Sequence, residues 1–218
     1  MLSLSSLCIA DSLHAATLQL TVQDARGAPL ANAVVTLQGP PGQASADTAR
    51  MDQIKQQYVP QVLAVRTGTR VSFPNKDNIR HQVYSFSPAK RFELRLYEGT
   101  PSTPELFDKP GLVVLGCNIH DWMLGYIYVT DDPWFAVTDG NGAITFTNLP
   151  AGHYQATLWH PQAPGQQAQP GGGLEVPAGG AVQVLSLAVQ PAPGDAPQPP
   201  APSAFGNAFK KAAGETAQ

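Results

Sequence analysis

The sequence predicts an all-β protein, and three observations carry that prediction. Proline (21) and glycine (20) are abundant in the 218 residues, which divides the chain into short elements separated by turns. Val, Thr and Leu fill the patterned runs, and such side chains suit a pleated, half-buried surface. Apolar positions recur at every second residue, as in Leu18, Leu20 and Val22, the period of a strand with one buried face.

Taken in order, Thr17–Asp24 is the first expected strand, Arg26-Gly27 turns the chain, and Ala33–Leu37 is the second. Gly39–Ala49, rich in Pro, Gly, Ala and Ser, reads as a linker. Met51–Val59 and Val62–Arg66 lead into Thr69–Phe73, which Pro74 ends. Gln82–Phe86, Phe92–Leu96, Leu112–Leu115 and Leu124–Val129 follow as strands. Pro101–Pro110, with three prolines and few periodic apolar positions, is expected to be a loop. Ala136–Phe146 reads as two strands around Asp139-Gly140-Asn141-Gly142, a hairpin signal. Tyr154–Trp159 and Ala181–Val189 complete the set. Pro191–Pro202 is too poor in apolar residues to pack and is expected to be disordered. Ala204–Gln218, with Phe205 and Phe209 beside Lys210 and Lys211, is expected to continue that tail.

Charge narrows the function classes. The formal net charge is −3 and only 13% of residues are charged, so the basic patch or stripe of a nucleic-acid binder is missing. No run approaches the roughly 18 apolar residues of a membrane span. Met1–Ala16 is apolar and ends in small residues, like the back half of an export signal with cleavage near Ala15 or Ala16. It lacks a basic n-region, consistent with a truncated start. If that segment is removed, Cys8 goes with it and Cys117 is the remaining cysteine. A lone thiol in an oxidising compartment calls for an occupant.

The stretch Gly116-Cys117-Asn118-Ile119-His120-Asp121-Trp122-Met123 offers one. A thiol, an imidazole and a thioether stand at i, i+3 and i+6, between the apolar runs Leu112–Leu115 and Leu124–Val129. With five His and three Met in the chain, that spacing from a given Cys arises by chance on the order of a few times in ten thousand. Soft sulfur with imidazole suits copper, in the form of two His and one Cys in a plane with a long axial Met. The second imidazole is His81, at the start of another strand-like run. Three other readings explain less. Cys117 as a small buried hydrophobe leaves His120 and Met123 as coincidences. Cys117 as a nucleophile with His120 as its base gives His81 and Met123 no role. A structural zinc site closes on Cys and His without Met. No Gly-x-Ser-x-Gly elbow is present, and an enzyme is not expected.

With its upstream His81, this Cys-x-x-His-x-x-Met loop resembles the ligand loop of the cupredoxins, and its short spacing is nearest to the amicyanin branch. Met51–Thr130, with Phe73-Pro74-Asn75-Lys76-Asp77-Asn78-Ile79-Arg80-His81-Gln82-Val83-Tyr84-Ser85-Phe86, also resembles plastocyanin-like domains of bacterial proteins labelled methylamine-utilisation proteins. The resemblance implies one type 1 copper held by His81, Cys117, His120 and Met123. Cupredoxins often carry Asn after the first His ligand, where it ties the two ligand loops together; here that position is Gln82.

A second resemblance flanks the first. Asp24-Ala25-Arg26-Gly27-Ala28-Pro29-Leu30-Ala31-Asn32-Ala33-Val34-Val35 and the later run Thr138–Tyr154, with Asn148-Leu149-Pro150-Ala151-Gly152, are similar to the carboxypeptidase regulatory-like β-sandwich. Together the resemblances imply a Greek-key cupredoxin-like sandwich (50–132) nested in a second small sandwich (17–49 and 133–190), after a signal (1–16) and before a tail (191–218). Insertion is undemanding when the inserted termini lie close together. One elongated sandwich is the alternative.

The expected function is single-electron transfer in the periplasm, as a monomer. The partner is a redox protein, which the resemblance implies to be a c-type cytochrome or a periplasmic dehydrogenase. A copper-binding or delivery module without redox turnover is the alternative. A further one is a carbohydrate- or surface-binding sandwich using Trp134, Tyr154 and Trp159.

Overall fold

The computed structural model describes residues 15–42 and 47–190. In chain order the strands are β1 (Ala15–Gln23), β2 (Val34–Gln38), β3 (Thr48–Arg50), β4 (Asp52–Ile54), β5 (Gln57–Val59), β6 (Val62–Arg66), β7 (Thr69–Ser72), β8 (His81–Ser87) and β9 (Lys90–Tyr97). They continue with β10 (Glu105–Phe107), β11 (Gly111–Leu115), β12 (Gly125–Thr130), β13 (Trp134–Val137), β14 (Ala143–Pro150), β15 (Gly152–Trp159), β16 (Gln169–Val176) and β17 (Ala181–Ser186). One 3-10 turn, Pro164–Gln166, is the sole helical element among the described residues. No helix there is long and apolar enough to cross a membrane. The fold is all-β, as the patterning implies. The expected export segment lies outside the described residues except for Ala15 and Ala16, which open β1. The 191–218 tail lies wholly outside them.

The sheets divide by sequence. The flanking strands form one sheet ordered β14-β1-β17 and another ordered β13-β2-β15-β16. Their inward faces bury Leu18, Leu20, Val22, Val35, Leu37, Phe146 and Leu158 in one cluster. The intervening strands pair as β11-β12-β6, β10-β7-β3, β8-β9 and β4-β5. They bury a second cluster that includes Met51, Tyr58, Phe73, Phe107, Ile127, Cys117 and Met123. A third, smaller cluster joins the two: Val34 and Trp159 from the flanking strands pack with Val62 and Tyr126. Trp159 is fully buried there, its ring centroid 5.6 Å from Tyr126 and 5.8 Å from Tyr128.

Several elements differ from expectation, each for a physical reason. The Asp139–Gly142 turn forms, with the Asp139 side chain accepting from the N–H groups of Asn141 and Ala143 at 2.8 and 2.9 Å. The strands it joins do not pair as a hairpin: β13 pairs with β2 and β14 with β1, in opposite sheets. A turn signal is local, whereas the choice of pairing partner is not. Met51–Val59 is interrupted at Lys55 and Gln56, both at positive φ (53° and 59°), and folds back as β4 and β5. The Pro101–Pro110 stretch contains β10, which pairs with β7 and buries Phe107; three residues are too few to show a period. The linker ends earlier than expected, because Thr48–Arg50 already pairs with β7. β16 was not expected, since Gly171-Gly172-Gly173 suppress strand propensity. A Cβ on Gly171 would meet that of Ala156 at 2.9 Å, so close strand packing requires the small residue.

Candidate metal centre

Two strands deliver the donors. The backbone of Tyr84 in β8 exchanges hydrogen bonds with Gly116 at the end of β11, Tyr84 N–H to Gly116 O at 3.2 Å and Gly116 N–H to Tyr84 O at 3.0 Å. This bridge sets the start of β8, where His81 sits, beside Cys117. Glycine at 116 lets the Tyr84 ring lie against the backbone, because an added Cβ would stand 2.7 Å from it and the ring would have to move. From behind, the buried Tyr58 hydroxyl donates to Gly116 O at 3.0 Å. Beyond Cys117 the chain turns tightly, with Met123 N–H donating to His120 O at 2.9 Å. The turn folds His120 back over the thiol.

The outcome is a three-donor cluster. Cys117 Sγ lies 3.9 Å from His81 Nδ1 and 3.8 Å from His120 Nδ1, and all three donor atoms fall within 4.8 Å of one another. His81 is fully buried, Cys117 is 3% exposed and His120 is half-buried. The separations test what the cluster can hold. For metal–sulfur and metal–nitrogen bonds of about 2.3 and 2.05 Å, S···N is about 3.8 Å at a trigonal angle and about 3.6 Å at a tetrahedral one. The two observed sulfur–nitrogen distances, 3.9 and 3.8 Å, are of the size that one shared metal requires. A thiolate with two imidazoles in that arrangement is a donor set that fits copper.

Electrostatics favour ligation at His120. Burial, and then the neighbouring His81 ring, hold its pKa below the ordinary histidine value, against a smaller opposing effect of Asp77. Its imidazole therefore keeps a free lone pair at neutral pH. Met123 is 1% exposed and belongs to the same buried cluster as Cys117.

The surroundings hold the donors in place. His81 Nε2 lies 2.8 Å from Asp77 Oδ2. That carboxylate also accepts the N–H groups of Lys55 at 2.6 Å and Gln56 at 2.8 Å. Burial alone would raise its pKa; the bonds from Gln56, His81 and Lys55 outweigh burial and lower it. Gln82 bridges the two loops: its Oε1 accepts from Asn118 Nδ2 at 2.7 Å, and its Nε2 donates to Glu93 at 2.7 Å. Sequence patterning did not point to Asp77, Asn118 or Glu93, because contacts made by side chains across loops leave no period.

Other candidates settle individually. Trp122 is half-buried with its ring centroid 5.2 Å from that of His120, and Asp121 is exposed. Phe73 is core, whereas Phe86 (71%) and Ile119 (48%) are exposed. Of the flanking aromatics, Tyr154 and Trp159 are buried and Trp134 is half-buried, its indole N–H bonded to Pro40 O, so they form no sugar-stacking platform. His160 is buried against Ala31 O, and exposed His153 pairs with Glu175.

No protein-family model matches this chain, and no curated protein matches it. Solved structures do align with part of it. A copper-containing nitrite reductase (NirK) from Thermus scotoductus SA-01 aligns at 26% identity and TM-score 0.36 over 38% of this chain, which spans 22% of that enzyme. A purple cupredoxin from Nitrosopumilus maritimus aligns at 21% identity and TM-score 0.34, over 38% of this chain and 99% of its own. A reduced amicyanin variant aligns at 19% identity and TM-score 0.35, over 44% of this chain and 98% of its own. Likenesses of this strength, over less than half of the chain, assign it neither a family nor a ligand by themselves.

Proposed function

We propose that this protein is an exported single-copper electron carrier, not an enzyme, in which His81, Cys117, His120 and Met123 would hold the metal. The observation that carries the reading is the pair of 3.8 and 3.9 Å sulfur–nitrogen distances around one buried thiol. Bound copper supplies a one-electron Cu(II)/Cu(I) couple. Cys117 contributes the thiolate, and its buried position keeps water and oxidants from the sulfur. His81, fully enclosed, anchors the inner side. His120 is half-buried on a loop and offers the ring edge through which an electron enters or leaves, with Trp122 packed beside it. The redox partner is a periplasmic protein such as a c-type cytochrome or a dehydrogenase. A free cysteine buried in a ready donor set suits export to an oxidising compartment.

A visible absorption spectrum of the protein loaded with Cu(II), beside Cys117→Ser, tests the reading. An intense band near ~600 nm that disappears in the variant is the expected result for a thiolate on Cu(II) in a trigonal site. A colourless protein that takes up no copper overturns it. A site that binds copper but loses it readily to a chelator, with no reversible redox couple, points to delivery instead.

A further inference from the structure

Asp77 is placed differently from the other carboxylates near the centre. Glu93 touches an amide and Asp121 faces solvent, but Asp77 Oδ2 meets the ring of a donor residue itself, at 2.8 Å from His81 Nε2. It is also held rigidly. Oδ1 accepts from Lys55 N–H at 2.6 Å and Oδ2 from Gln56 N–H at 2.8 Å. Its own N–H donates to Asn75 Oδ1 at 3.0 Å, and Asn75 Nδ2 donates to Ile79 O and Tyr97 O at 2.8 and 2.9 Å. Lys55 and Gln56 both stand at positive φ without being glycine, a conformation that costs free energy and persists where surrounding bonds hold it. The carboxylate is the group that receives both turn amides.

A carboxylate at Nε2 accepts a hydrogen bond from a ring N–H there and so leaves the lone pair on Nδ1, the atom that faces Cys117 Sγ at 3.9 Å. We propose that Asp77 is a positioning residue of the metal centre: it fixes His81 in the Nδ1-donor tautomer and its negative charge favours Cu(II) over Cu(I). The inference rests on the copper reading above and adds control of that site. Without the carboxylate, the buried ring is free to carry its proton on Nδ1, where it cannot ligate. Without the charge, the oxidised ion loses an attraction that the reduced ion feels less.

Two variants of the full chain separate orientation from charge. In Asp77→Asn the single carbonyl oxygen can stand where Oδ2 stands, keeping the bonds from His81 and Gln56 while removing the charge and the bond from Lys55 to Oδ1. Asp77→Ala removes both. Asp24→Asn, an equal charge change on a side chain bonded to Arg26 and Ala28 far along the chain, is the control. The first readout is nitrogen NMR of the His81 ring in metal-free protein, above the ordinary histidine titration range. Wild type and Asp77→Asn are expected in the Nε2–H form and Asp77→Ala as a tautomer mixture. The second is Cu(II) affinity, with Asp77→Ala weaker by about 10–100-fold. The third is the reduction potential of Asp77→Asn. At a fixed ambient potential its Cu(II)/Cu(I) ratio should fall about tenfold, an upward shift of about 59 mV, while Asp24→Asn stays at the wild-type value. If Asp77→Ala fails to fold, Asp77→Asn still decides through its potential. A wild type that binds copper, with unchanged potential in Asp77→Asn and an unchanged tautomer in Asp77→Ala, overturns the role of Asp77 alone. A wild type that binds no copper overturns the copper reading first.

Discussion

Gln82 shows what a single side chain contributes at this centre. It spans from Asn118, next to the thiol, to Glu93 on β9 through two hydrogen bonds of 2.7 Å each. Gln82→Ala removes both and leaves two polar groups to find water. The expected cost is about 1–3 kcal/mol, at roughly 1 kcal/mol per bond plus part of a desolvation penalty. Denaturant titration of metal-free protein measures it. The donors themselves are untouched, so the ~600 nm band expected of the trigonal site should persist in this variant. This distinguishes it from Cys117→Ser, where the band disappears. The nearness of Cys117 and His120 was legible because a tight turn brings i and i+3 together whatever the rest of the chain does. Asp77 and Glu93 were not, because a lone carboxylate in a loop looks the same whether it meets a buried imidazole or solvent.

Elements are set by close approach as much as by propensity. Gly125 opens β12 where an added Cβ would lie 2.8–2.9 Å from the Tyr58 side chain, and Tyr58 is 2% exposed. Gly125→Ala therefore forces Tyr58 to shift, with a cost of about 1–3 kcal/mol from overpacking. The Tyr58 hydroxyl supports Gly116 O, so the same shift reaches the loop that carries Cys117. Thermal unfolding of the metal-free variant should show the loss, and a broadened copper absorption band should accompany it in the loaded protein. Strand existence was readable here from a short apolar run, Leu124–Val129, which the structure forms as β12 with nearly every residue buried. Strand pairing was not: β13 and β14, joined by a well-formed Asp139–Gly142 turn, part into separate sheets. β16 escaped notice because its glycines serve a neighbour in space, Ala156, rather than the strand's own propensity.

Over the whole molecule, the question is how the 48–130 strands are joined to the strands that flank them in sequence. The seam is apolar: Trp159 and Val34 on one side, Val62 and Tyr126 on the other. We propose that the intervening strands are a module inserted into the flanking sandwich and fixed to it by this contact. Trp159→Ala should cost about 3–5 kcal/mol while leaving the visible band and the reduction potential of the loaded protein unchanged, since the donors lie in a separate cluster. Copper should protect both sets of strands from unfolding if the seam couples them, by about 2.7 kcal/mol at a free metal concentration of 100 Kd. Calorimetry with and without metal reads this as one shifted transition, and two transitions with only one shifted would show uncoupled modules. The all-β class, the thiol and imidazole donor types and the local loop follow from residues a few positions apart, because period-two burial and the geometry of a short turn are local. The tertiary structure alone decided that His81 meets Cys117 across 36 positions, that Asp77 and Gln82 hold the donors, and which strands pair. Those contacts depend on how strands distant in sequence are brought together, and short-range patterning carries no record of that.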